Sequence, residues 1–189
     1  MSVKPRLFRQ RQQFRDWLQA HYAHEAELWL QFYKKGSGKT SISNAEAVEE
    51  ALCFGWINGK LKRIDEKSYI QRFSPRHDKS IWAQSNKLRV ARLIAEGRMT
   101  AAGMEKVKAA KANGRWNELE SLDPDEIPAD LASALKANPR AEANFASFTG
   151  KQRRDYLWWL NAAKRDATRR RRIEAIVRRS VNKLKPGDV

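Results

Sequence analysis

The sequence predicts an α+β protein: a small antiparallel sheet of about three strands packed by helices, followed by a helical C-terminal subdomain. Two observations carry this. Hydrophobic residues recur with period two in ELWLQFYKK and again in WINGKLKRI and SYIQRFS. Elsewhere they recur with helical spacing, and beyond Pro128 nothing else is visible. The expected organisation is an α+β domain over residues 1–117, an acidic linker over 118–128 and a basic helical unit over 129–186.

The elements come in order. Phe14, Trp17, Leu18 and Tyr22 share one side of a helix from about Arg9 to His21. In the first strand Leu28, Leu30 and Phe32 face one way and Trp29, Gln31 and Tyr33 the other. Ser43 followed by Glu46 is a capping box opening a helix through Ala47, Val48, Ala51 and Leu52, and Gly55 ends it. Residues 56–74 then read as a hairpin, with Asp65, Glu66 and Lys67 as its polar loop. Period two places Ile57, Gly59 and Leu61 on one face, and Trp56, Asn58, Lys60 and Lys62 on the other, wet one. Tyr69 and Phe73 mostly pack the sheet.

Pro75 stops the second hairpin strand. Asp78 or Ser80 can cap a following helix that carries Ile81, Leu88, Ala91 and Ala95, with Trp82, Val90 and Leu93 beside them. Gly97 closes it, and Thr100 caps the next helix, where Met104, Val107 and Ala110 face inward as far as Asn113-Gly114. NELESLDPDEIP, with five acids and no base, has the composition of a linker. Of the remaining helices, one starts at a Thr149/Gln152 capping box and carries Tyr156, Trp159, Leu160 and Ala163. The last, capped by Thr168, carries Ile173, Ile176, Val177, Val181 and Leu184.

Composition narrows the function classes. With 189 residues, 41% hydrophobic and 10% aromatic, the chain can bury a core. A mean hydropathy of −0.76 and 32% charged residues argue against a membrane protein. The N-terminus is basic with no apolar run behind it, unlike a secretory signal, and one cysteine, Cys53, fits a reducing cytoplasm. The formal net charge is +16, of which residues 150–189 carry +9, with thirteen Lys or Arg and four acids. Such a field concentrates polyanions near the surface.

Few motifs carry chemistry. GSGK at 36–39 lacks the full spacing of a phosphate loop and reads as a connector. His21, His24 and Glu25 do not make a convincing metal site, and Cys53 lies on the apolar side of its helix as a structural thiol. No strained nucleophile turn or convincing carboxylate pair is visible. The sequence therefore points to no catalytic residue, metal or cofactor. The hairpin and the segment after it nominate a ligand site of Trp56, Asn58, Lys60, Arg72, Arg76, Lys79 and Trp82. Such a set suits a small anionic or aromatic ligand held by charge-assisted bonds and stacking. Arg169, Arg171, Arg172 and Arg178 nominate an alternative, phosphate contacts to nucleic acid, although no aromatic platform accompanies them.

ALCFGWINGKLKRID, QRFSPR, SIWAQSNKLRVARLIAEGRMTAAG and ANGRW, followed by YLWWLNAAKRDATRRRRIEAIV, resemble the YdeI/OmpD-associated family of bacteriocin-protection proteins over nearly the whole chain. The resemblance implies a role in tolerance of bacteriocins or cationic antimicrobial peptides, with no catalytic reaction or cofactor. By its name it also implies association with an outer-membrane porin. Asn58 stands where that family typically has Asp, which removes an acid from the hairpin. Asp166-Ala167-Thr168 stands where it usually has Glu before the Thr. The expectation is a non-enzymatic cytoplasmic stress-protection protein that binds a small anionic ligand or a protein partner.

Overall fold

The computed structural model describes residues 4–186, and the chain divides into two compact units, residues 1–116 and 117–189. The first contains α1 (Arg11–His21), β1 (Leu28–Tyr33), α2 (Asn44–Cys53), β2 (Trp56–Arg63), β3 (Ser68–Pro75), α3 (Gln84–Ala95) and α4 (Ala101–Ala112). The second contains α5 (Ala129–Lys136), α6 (Pro139–Ala146), α7 (Gly150–Asn161) and α8 (Asp166–Val181). The α+β architecture matches the expectation.

The sheet is antiparallel in the order β1-β3-β2. Leu28, Leu30 and Phe32 pair with Phe73, Gln71 and Tyr69, and directly paired residues share a face. That face meets the helices. Phe14, Trp17 and Leu18 of α1, together with Ala47, Val48, Ala51 and Leu52 of α2, complete the core of the first unit. Ser43 caps α2 as its spacing requires: the hydroxyl accepts from the Glu46 amide at 3.2 Å, and Glu46 accepts from the Ser43 amide at 2.8 Å.

The hairpin departs from strict alternation. Trp56 and Asn58 pair with Pro75 and Phe73, but Leu61, not Lys60, pairs with Gln71, so Gly59 and Lys60 form a bulge opposite Arg72. Pairing with Phe73 puts Trp56 and Asn58 on the helix-covered face, which corrects their placement on the wet one. Trp56 is 1% exposed, and its indole donates to the Tyr22 carbonyl at 3.1 Å. The extra residue sends Lys62 to the other side, against Ile70, and puts Leu61 on the Asn58 side. Gln71 holds the bulge, donating to the Gly59 carbonyl at 3.1 Å and accepting from Asn44.

Three helix expectations also change. α3 begins at Gln84, behind an uncapped Ala83, which leaves the candidate caps too far upstream: Asp78 pairs with Lys106 and the Ser80 amide closes a turn onto His77. Ile81 and Trp82 therefore precede the helix. Its inner face is Lys87, Val90 and Leu93, while Leu88 is 63% exposed. In α4, Gly103 takes the inward position beside Val107 and Ala110, with Met104 half-buried. α8 starts at Asp166, which puts Thr168 inside its first turn instead of at the cap.

The second unit packs around Leu131, Leu135, Ala141, Phe145, Phe148, Tyr156, Leu157, Leu160 and Ile176. Leu157 is buried more deeply than Trp159 and Ala163, the residues its helical spacing puts inward, and Leu184 is exposed. Residues 117–128 are bonded to α7 through Arg153 and Arg154. Arg154 donates to the Leu122 carbonyl at 3.0 Å, and Arg153 donates to the Pro124 carbonyl at 3.2 Å and Asp125 at 2.7 Å.

Candidate functional site

The seven nominated ligand residues fall in three places. Trp56 and Asn58 lie on the covered sheet face. Lys60 and Arg72 lie at the bulge, where Arg72 pairs with Glu27 at 3.2 Å. Arg76, Lys79 and Trp82 lie in the segment between β3 and α3, where Arg76 and Trp82 meet. Only this last group is gathered by the fold into something unusual.

Arg76 is the first residue after β3, and its amide donates to the Gly55 carbonyl at 2.8 Å. Gly55 sits at the α2–β2 turn with φ +72°, a conformation that glycine adopts without penalty. The Arg76 side chain turns inward and is 2% exposed. Its guanidinium lies 3.6 Å above the Trp82 ring, and Nη2 donates to the Ile81 carbonyl. Nε and Nη1 are buried and have no hydrogen-bond partner among the described residues. Burial, with no carboxylate to offset it, pushes the Arg76 pKa down to about 10.

The surroundings are cationic and aromatic. Trp82 packs on Trp116 with centroids 4.9 Å apart, and the ammonium groups of Lys87 and Lys111 lie 5.6 and 5.3 Å from the Trp116 ring. Lys79 is exposed on the same segment. Asp78 is the acid of this loop, and Lys106 holds it at 2.9 Å, keeping its carboxyl below the usual range. The Asn113 amide group fastens the loop by donating to the Asp78 carbonyl at 3.1 Å. A buried guanidinium with unused donors and a stacked indole can hold an anion once the 77–83 segment admits one. Sequence reasoning named Arg76 and Trp82 but missed Trp116, Lys87 and Lys111, whose approach depends on how α3 and α4 pack.

A second charged cluster, which sequence reasoning also missed, has the opposite character. Glu50 is wholly buried and accepts from Arg11 at 2.5 Å, Arg15 at 2.7 Å and Arg98, while Glu49 takes Arg11 at 2.8 Å and Arg92. Burial opposes the charges on Arg11 and Arg15, and the hydrogen bonds to Glu50 outweigh it, so both pKa values lie above the ordinary arginine value. Cys53 lies near this network with its thiol pushed up, chiefly by burial, which makes it a poor nucleophile. These charges pair with one another and serve the packing of α1 on α2.

Two of the four nominated nucleic-acid arginines are engaged within the second unit. Arg169 forms a two-pronged pair with Asp130 at 2.5 and 2.9 Å, and Arg172 donates to the Trp159 carbonyl while covering its ring at 5.2 Å. Arg171 and Arg178 are exposed, but Glu174 stands three residues after one and four before the other, on the same helix face. The arginine run is thus partly structural.

No curated protein and no solved structure matches the chain. Residues 126–182 match the family described as Bacteriocin-protection, YdeI or OmpD-Associated. That match is confined to the second unit and includes the YLWWLNAAKRDATRRRRIEAIV motif; it does not extend over nearly the whole chain. Residues 6–106, more than half of the chain, match the model described as Domain of unknown function (DUF8412), so the chain belongs to that family, and its residues 126–182 are in addition similar to the bacteriocin-protection, YdeI or OmpD-associated model.

Proposed function

We propose that the protein is a non-catalytic binding protein of the bacteriocin-protection type, acting in the cytoplasm, whose first unit holds a small anion at Arg76. The bacteriocin-protection match of the second unit supports the broad role. Arg76 supports the finer one: a 2%-exposed arginine with two unpartnered nitrogens destabilises the fold as it stands, and an anion would offset that. Trp82 supplies a ring face, and the exposed Lys79, on the same segment, and Lys111, beside Trp116, supply positive charge. Because the donors are sealed, the ligand enters by displacing residues 77–83, which contain no helix or strand.

The test is native mass spectrometry of the untagged protein, together with melting curves in benzoate and in phosphate. A retained anion, or a melting shift with one of these probes, is expected in the natural chain and absent in Arg76→Met. Protein without a bound anion, and shifts that are the same in Arg76→Met, would overturn the reading.

A further inference from the structure

The GSGK connector, which the Arg76 site does not use, borders an open cleft of about 470 Å³ lined by Leu7, Arg9, Tyr33, Gly38, Lys39 and Thr40. Two stretches of chain distant in sequence build it, residues 7–9 and 33–40, and main-chain bonds fix their positions. The Arg6 amide donates to the Trp29 carbonyl at 2.8 Å, the Gln31 amide to the Arg6 carbonyl at 2.9 Å, and the Ile42 amide to the Phe8 carbonyl at 3.0 Å. The connector is pinned at both ends: the Lys34 amide donates to the Lys67 carbonyl at 2.9 Å, and the Ser41 hydroxyl accepts from the Tyr33 amide at 3.0 Å.

The cleft has one sign of charge. Arg9 and Lys39 are its charged side chains, and among the described residues no acid lines it. The Lys39 ammonium lies 5.3 Å from the Tyr33 ring. Asp65, on the hairpin loop, feels Lys39 but is already occupied by the Lys67 amide at 2.8 Å and the Ser68 hydroxyl at 2.9 Å. Beside Gly38 there is open space, since a Cβ there would meet nothing within 4 Å, so a ligand can reach the main chain. The volume falls in the range of small-molecule sites, roughly 300–1,000 Å³.

We propose that this cleft binds the phosphate group of a small phosphorylated molecule. Arg9 supplies a planar donor set and Lys39 a compact charge, while Thr40 and the Gly38 main chain supply neutral donors. Two cations with no acid between them favour a dianion over a carboxylate, which carries one charge. The site differs from a phosphate loop of the glycine–lysine kind because its second cation comes from the segment before α1, not from the connector.

The site is tested by titrating the ¹⁵N-labelled full chain with inorganic phosphate and pyrophosphate, ionic strength being held constant with potassium chloride. Saturable shifts of the Gly38, Lys39 and Thr40 amides are expected, stronger for pyrophosphate. Affinity should weaken at least roughly tenfold in Arg9→Gln and in Lys39→Gln, in line with loss of a charge-assisted bond, and stay unchanged in Arg76→Met. Both substituted side chains are exposed, so the rest of the spectrum reports an intact fold. Shifts that track chloride alone, or that survive both substitutions, would overturn the proposal. Shifts confined to residues 77–83 and lost in Arg76→Met would assign the anion to Arg76 instead.

Discussion

The Arg76 guanidinium stacks 3.6 Å above Trp82 and has no carboxylate to answer it. A buried cation in this state opposes folding, and the opposition is removed when the group is replaced by an apolar side chain of similar length. Arg76→Met is therefore expected to stabilise the apo protein by about 1–3 kcal/mol while abolishing anion binding. Chemical denaturation of both proteins checks the first half, and the ligand-dependent melting shift checks the second.

The same group gives a pH dependence of defined sign. Its folded pKa, about 10, lies below the ordinary arginine value, so between the two the unfolded chain binds the extra proton. The penalty from Arg76 is fully present below about pH 10 and is progressively relieved as the pH rises above that value. Subtracting Arg76→Met unfolding curves from those of the natural chain between about pH 8 and about 11 isolates this contribution. A difference that does not shrink with rising pH would contradict it.

Glu50 gives the opposite expectation. It is wholly buried beneath Arg11, Arg15 and Arg98, and Glu50→Gln removes the charge that all three approach. Breaking a buried pair from one side costs about 3–5 kcal/mol, so urea unfolding should show a loss of that size. Glu96→Gln, at an exposed partner of Arg92 and Arg98, should change stability by less than about 1 kcal/mol.

Gly103 is required by close approach. A Cβ there would lie 2.3 Å from the Cys53 carbonyl oxygen and 2.8 Å from that of Leu52, both main-chain atoms at the end of α2. Gly103→Ala should therefore destabilise by more than about 2 kcal/mol despite alanine's better helix propensity. Alanine at exposed Gly97, where φ is +66° and no atom crowds the Cβ, is the control and should lose only about 1 kcal/mol.

For the last helix, Arg171→Gln with Arg178→Gln should leave folding unchanged, since both side chains are exposed. Any binding of a DNA duplex in low salt should weaken modestly and vanish near physiological ionic strength. Fluorescence anisotropy over a salt series measures this. Persistence of tight binding at physiological salt would show that the helix reads nucleic acid.

The sequence by itself determined the element order and several helix ends. Ser43 with Glu46 and Thr149 with Gln152 are capping boxes, and Gly55 and Gly97 are stops, because caps and left-handed turns depend on residues three or four apart. It also named Arg76 and Trp82. Tertiary structure alone decided what they do. The bulge at Gly59 and Lys60 broke the alternation of β2, since one extra residue moves every later side chain to the other side of a period-two strand, so Lys62 faces away from Trp56 and Asn58. Asp78 does not cap α3, which starts six residues later, and pairs instead with Lys106 on a helix further along the chain. Arg76 is buried without a counter-charge, and Glu50 with three, through contacts between residues up to 48 apart in the chain. No local pattern encodes that difference, because burial and pairing are properties of the packed arrangement.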